Sequence, residues 1–174
     1  MRPPIAGLAV AVAVSLLVGC GYALVGSGKG TLPEDVKRVW VTTFVNDTPV
    51  VGLEQRLTGA VLRELSARGR LKPAASREDA DAELTGRLTS YSLQPVRFDS
   101  QGRAVEYQIV VTARIALASR RTEKVLFEEP GFLVRQPYNI PVTSSNYFNP
   151  ETAAVNVLVQ PFARSLVTTL LEGF

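Results

Sequence analysis

Between Val36 and Val45 (VKRVWVTTFV) the chain is β-branched with a period of two, which predicts a strand. Val39, Val41, Thr43 and Val45 share one face, and Trp40, Thr42 and Phe44 the other. Asn46-Asp47-Thr48-Pro49 interrupts the period and predicts a helix start, with Thr48 as N-cap and Pro49 in the first position. The period then lengthens. Leu53, Leu57, Ala60, Val61 and Leu65 form one helical stripe, with Glu54, Arg56, Arg63 and Glu64 largely off it. Gly69, just past Arg68, is suited to close the helix.

Alternation returns from Asp81 to Leu93, where Ala82, Leu84, Gly86 and Leu88 share a face. The missing side chain at Gly86 predicts a close approach, with a helix expected to make it. Asp99-Ser100-Gln101-Gly102 reads as a turn. From Ala104 to Ser119 the chain alternates cleanly: Val105, Tyr107, Ile109, Val111, Ala113, Ile115 and Leu117 point one way, and Glu106, Gln108, Thr112 and Arg114 the other, with Val110 and Ala116 among them. Such a strand spans roughly 50 Å. Part of it is therefore expected to project as a hairpin with the end of the preceding strand.

Arg120 to Glu123 predicts another turn and Lys124 to Phe132 a fourth strand, in which Pro130 implies an edge or a bulge. Gln136 to Phe148 reads as a loop, and Asn149-Pro150-Glu151 opens a second helix. Val155, Leu158, Val159, Phe162, Leu166 and Leu170 give that helix its stripe, and Pro161 predicts a kink near Val157 to Pro161 or two short helices. The order β-α-β-β-β-α predicts an α+β fold: a two-layer α/β sandwich, with a four-stranded sheet and two helices packed on one face.

The start of the chain has a different logic. After Arg2, an apolar run from Ile5 to Val18 ends in Leu17-Val18-Gly19-Cys20. A short basic start, an apolar stretch and small residues before a cut site make a secretory signal. At about 14 residues the run falls short of the ~20 that a membrane span needs. A Leu-x-Gly-Cys ending is the bacterial lipoprotein form. Signal peptidase is expected to cut before Cys20, whose thiol takes a diacylglycerol and whose new amino group takes a third acyl chain. Three chains hold a protein on a membrane in effect permanently. Gly21 follows the cysteine where an aspartate would favour inner-membrane retention, so the expected location is the outer membrane, lipid-anchored on its periplasmic side. The expected organisation is a signal peptide over 1–19, a Gly-rich and polar lipidated tether over 20–35 and one α/β domain over 36–174.

Loss of residues 1–19 removes Arg2 and lowers the formal charge from +3 to +2. No Lys/Arg cluster interleaved with aromatics appears, which argues against a nucleic-acid partner. The chain has no histidine, and its one cysteine is the lipidation candidate Cys20. General-base, thiolate and metal chemistry thus have few groups to draw on, and neither a cofactor nor a metal site is expected. Gly26 to Gly30 (GSGKG) lacks the Lys-Ser/Thr ending and preceding strand of a phosphate loop. Asp79, Asp81 and Glu83, and the pair Glu128-Glu129, read as solvated turns rather than metal ligands. The chain is therefore expected not to be an enzyme.

Surface features remain. Arg97 and Arg103 flank the hairpin turn, and Arg120, Arg121 and Lys124 sit at the far turn. Arginine suits bidentate phosphate contact, and the alternative is solvated loop charge. Tyr138, Tyr147 and Phe148 either form a contact surface or cover the end of the core.

Several of these features together resemble the lipopolysaccharide-assembly lipoprotein family, LptE. They are Cys20-Gly21-Tyr22 with Leu24 and Gly26; Val39 to Asn46 leading to Thr48, Leu53 and Leu57; and Phe98, Gly102, Glu106 and Tyr107 in the hairpin. The resemblance implies a non-enzymatic plug and assembly partner inside LptD, the outer-membrane β-barrel that inserts lipopolysaccharide. It also implies lipopolysaccharide binding, with Arg97, Arg103, Arg120, Arg121 and Lys124 as candidate contacts. The other reading is an outer-membrane lipoprotein activator of a peptidoglycan synthase with a TolB-N-like domain, similar in the strand end Phe44 to Asn46. Such activators use long linkers. The tether expected here reaches at most ~50 Å, which favours the barrel. Replacement of the modified residue, Cys20→Ala, should leave an uncleaved, mislocalised precursor; normal maturation and outer-membrane sorting on fractionation would overturn the lipoprotein reading.

Overall fold

The computed structural model describes residues 32–139 and 150–172. The signal segment, Cys20, the GSGKG stretch, Tyr147, Phe148 and Asn149 lie outside the described residues. In chain order the elements are β1 (Arg38–Val41), β2 (Val45–Asn46), α1 (Leu53–Arg68), β3 (Lys72–Pro73), β4 (Ala82–Phe98), β5 (Ala104–Ser119), β6 (Val125–Asn139) and α2 (Pro150–Glu172). The sheet order is β3-β1-β4-β5-β6, with β2 also on β4. β1 runs parallel to β3 and β4, and β4, β5 and β6 are antiparallel, so the sheet is mixed. The class is α+β as expected, but the sheet has six strands rather than four.

The extra strands have local causes. The expected strand Val36–Val45 is divided. Val41 pairs with Leu84 and Val45 with Arg87, four residues against three, so a one-residue bulge separates β1 from β2. The bulge flips the faces: Phe44 turns into the core at 2% exposure and Val45 turns out at 46%. Thr58 of α1 holds the switch, its hydroxyl accepting from the Phe44 amide at 3.1 Å. β3, absent from the expected order, is a two-residue addition beside β1.

The stripe of α1 is as expected: Leu53, Leu57, Ala60, Val61 and Leu65 are fully buried. Each buried leucine contributes about 1.5–3 kcal/mol. The C-terminal glycine also behaves as expected, Gly69 taking φ 74° and donating to the Leu65 carbonyl. The N-terminus does not. The helix begins at Leu53 after Gly52 (φ 77°), without a side-chain cap. Asn46 keeps Thr48 and Pro49 out of the helix. Its side-chain oxygen accepts from the Thr48 amide and hydroxyl, and its amide nitrogen donates to the Val50 carbonyl and the Glu54 carboxylate. The Thr48 hydroxyl then accepts from the Val50 amide, inside the turn.

β6 continues to Asn139, into the stretch expected to be a loop, because its core-facing pattern (Phe132, Val134, Tyr138) persists. It is an edge strand, so Pro130 and Pro137 are tolerated. A register shift near Pro130, between the pairs Phe132–Ala113 and Glu129–Ile115, supplies the bulge as well. α2 is one 23-residue helix running through Pro161 rather than two. Leu158, Phe162, Ala163, Leu166 and Val167 are buried on both sides of the proline. That packing offsets the ~3 kcal/mol an interior proline costs.

Both helices cover one face of the sheet, forming a single core with Val39, Leu84, Leu88, Ile109, Val111, Ile115 and Leu117. Phe162 of α2 meets Phe44 edge-on at 6.4 Å and Phe132 at 5.4 Å between ring centroids. The close approach at Gly86 is made by the Phe44 ring and not by a helix: a Cβ there would lie 2.6 Å from Phe44 Cδ1. The substitution Gly86→Ala should cost about 1–3 kcal/mol in a denaturant titration. An unchanged midpoint would show that the ring has room to move.

Candidate functional site

The most prominent surface feature is the end of the β4–β5–β6 sheet. Leu93 is the last residue of β4 that packs on the core, and Gln94 to Phe98 are exposed. On β5 the first fully buried residue is Ile109. The hairpin therefore projects past the helical layer, as its length predicts. Its turn is built around Asp99. One carboxylate oxygen accepts from the amides of Gln101 and Arg103 at 2.9 Å, and the other from Arg103 Nε at 2.8 Å. Gly102 supplies the positive φ of 75°. The Arg103 amide bond is the largest influence holding the Asp99 carboxyl below its ordinary value. Arg97 is likewise engaged: Nε pairs with Glu106 at 2.9 Å and Nη2 donates to Asn139 at 3.4 Å. Beside these paired arginines, Val96 and Phe98 are more than half exposed.

The other three candidate cations lie at the opposite end of the sheet. Arg120 Nη1 is 3.7 Å from Glu83 and Arg121 Nη1 is 3.6 Å from Asp35. Lys124 is exposed and has no ion pair among the described residues. The 16 residues of β5 separate these three from Arg97 and Arg103, roughly 50 Å along the strand. The five do not form one patch. The carboxylates at the start of β4 also have separate partners. Asp79 bonds Ser76, Asp81 accepts from the Lys37 and Arg38 amides, and Glu83 pairs with Arg77. Among the described residues no three metal-ligating side chains converge.

Tyr138, expected in a loop, lies in β6 with its ring buried. Its hydroxyl has no hydrogen-bond partner among the described residues, and burial pushes the phenol pKa up. Sequence reasoning missed the basic end around β1 and β3. Lys37-Arg38 and Arg70-Leu71-Lys72 are the two short runs that would have signalled it.

The model of the family described as LptE: Lipopolysaccharide-assembly matches residues 36–170. The chain belongs to the LptE family. The same family was suggested by the lipidation motif and hairpin residues, and it is a family of lipoproteins with a non-enzymatic role. Among solved structures, protein XCC0632 from Xanthomonas campestris is 17% identical with a TM-score of 0.53, over 81% of this chain and 88% of its own. The hypothetical protein CT253 from Chlamydia trachomatis is 12% identical with a TM-score of 0.52, over 80% and 97%. A minor lipoprotein from Acinetobacter baumannii is 13% identical with a TM-score of 0.48, over 79% and 92%. At these identities the likeness to the first two is one of fold. No curated protein matches the chain by sequence.

The Asp99 turn yields a pH test. Because the folded-state pKa is lowered, the stabilisation is complete above the ordinary value of 3.8 and disappears as pH falls through the lowered one. Amide exchange at Gln101 and Arg103 should therefore lose protection in acid and in Asp99→Ala at neutral pH. Equal protection in the variant would mean that the backbone bonds from Asp99 N to the Arg103 carbonyl and from Gly102 N to the Asp99 carbonyl hold the turn without the carboxylate.

Proposed function

We propose that this LptE-family chain is an outer-membrane lipoprotein, acylated at Cys20, that plugs and helps assemble an LptD-type β-barrel and binds lipopolysaccharide without catalysing a reaction. The observation that carries the proposal is the family match over residues 36–170, on a domain whose sheet projects beyond its helices. A rigid three-stranded projection on a compact base suits insertion into a wide barrel lumen. Lipid attachment on the periplasmic side keeps the domain at high local concentration beside the barrel.

The hairpin arginines meet lipopolysaccharide phosphates only in exchange for bonds they already make. Arg97 must leave Glu106 and Arg103 must leave Asp99, or each must share its remaining donors. Exposed ion pairs of this kind are weak because water screens them, so a phosphate can compete for them. Arg120, Arg121 and Lys124, at the opposite end, would form a separate contact.

The acylated protein, solubilised in detergent from its own outer membrane and recovered by pull-down, should bring down a large β-barrel at equal stoichiometry in mass spectrometry. Recovery of a peptidoglycan synthase without a barrel would overturn the proposal. Charge reversal at Arg97 and Arg103 should weaken lipopolysaccharide capture. Unchanged capture would assign both arginines to the hairpin's own structure.

A further inference from the structure

We propose that the cleft between α1 and α2, on the exposed side of the helical layer, binds a phosphate group. The reading does not depend on a barrel partner or on which end of the domain faces the bilayer. Each helix buries one stripe in the core and leaves another exposed. The exposed stripes meet at a hollow of about 320 Å³, lined by Gln55, Arg56, Gly59, Arg63, Asn156 and Val159. Two arginines thus share a small space with no carboxylate among the lining residues.

Arg56 and Arg63 lie about two turns apart on one face of α1, with Gly59 between them. The Arg63 guanidinium reaches back over Gly59, its Nη1 lying 3.5 Å from where a Cβ would stand. Arg56 reaches across to α2, and its Nη1 donates to Asn156 Oδ1 at 2.7 Å. That bond uses the acceptor of the Asn156 amide and leaves Nδ2 as a donor. Neither arginine has an ion pair among the described residues. The acids beside them in α1 are engaged elsewhere. Glu54 accepts from Asn46, and Glu64 is buried, accepting from Arg68 and Gln160. Arg164, on the same face of α2 as Asn156, adds a third cation without an ion pair among the described residues.

Gly59 points the same way. A glycine inside a helix weakens it relative to alanine, and the packing does not ask for one here. A Cβ would meet only the Arg63 guanidinium, at ordinary contact distance. What the glycine supplies is open floor beneath two like charges. Guanidinium groups held close together gain from an anion between them. Here two forks and one amide approach from two helices. A tetrahedral phosphate can accept from three directions at once, whereas a planar carboxylate offers two oxygens. The hollow has room for more than the phosphate itself, and Val159 gives it an apolar side, so a phosphate ester fits.

The test uses the acylated mature protein, nitrogen-15 labelled, in a maltoside micelle that carries no phosphate of its own. Inorganic phosphate is titrated in at constant ionic strength. The side-chain amide signal of Asn156 and the Nε–H signals of Arg56 and Arg63 should move together with one saturable Kd. Chloride and acetate at the same ionic strength should not move them. Arg63→Gln should raise the Kd roughly tenfold or more. Arg103→Gln, in the hairpin, should leave it unchanged. Gly59→Leu should fill the floor and weaken binding while melting no lower than the parent, because leucine favours a helix.

A second titration, with short-chain phosphatidylglycerol in the same micelles, identifies the source. Tighter binding than inorganic phosphate at the same three signals would make the ligand a lipid headgroup; equal or weaker binding would make it a soluble phosphate. The proposal is overturned by signals that do not saturate with either compound, or by an Arg63→Gln variant that binds as the parent does. A response to acetate stronger than to phosphate would also overturn it, and would assign the cleft to an acidic side chain of a protein partner.

Discussion

One ring on one glycine holds the two layers in register. Phe44 lies on Gly86, where any side chain would collide with it, and turns its edge to Phe162 in the middle of α2. Phe162 in turn meets Phe132 on the edge strand. The contact thus joins the bulged first strand, the long fourth strand, the C-terminal helix and β6 through three rings. Thr58 adds the first helix by accepting from the Phe44 amide. Edge-to-face pairs are worth about 0.5–1.5 kcal/mol beyond their buried area, and burial of the rings supplies more. Without this contact the bulge has no reason to turn Phe44 inward, and β1 and β2 would rejoin with Val45 on the core face.

What could be read in the sequence follows from how local each signal is. The stripe of α1, the glycine that ends it, the alternation of β5 and the turn at Asp99 are set by neighbours in the chain, and they read correctly. The division of β1 from β2 did not, because it is decided by Gly86 and Phe162, far away in sequence. The helix start was misread for a subtler reason. Thr48 and Pro49 do fit an N-terminus, but Asn46 offers four hydrogen bonds that favour a turn first. β6 ran on through two prolines because an edge strand tolerates them, and its edge position depends on the whole sheet order. The candidate cations were found as residues and not as a site. Their grouping depends on which end of a long strand each occupies.

Charge is distributed unevenly between the two ends of the domain. At the hairpin, Arg97 and Arg103 are satisfied by Glu106 and Asp99, and their geometry stiffens the projection. At the base, Lys37 and Lys72 stand without such partners among the described residues, and Arg38 faces Asp81 without an ion pair. The same residue types thus do different work. Cations bonded to nearby carboxylates shape a turn, and cations left without partners contribute an open field to the surface. The modest net charge of the chain conceals this polarity, since it sums over both ends.

The two prolines of β6 have a consequence for company. An uninterrupted edge of fifteen residues would offer a continuous row of donors and acceptors to any strand that came alongside. Pro130 and Pro137 each remove a donor, and the bulge near Pro130 breaks the spacing of the rest. A sheet ending this way can lie against a wall of β-strands, even one still assembling, and remain a separate object. It can touch such a wall through side chains without being stitched into it.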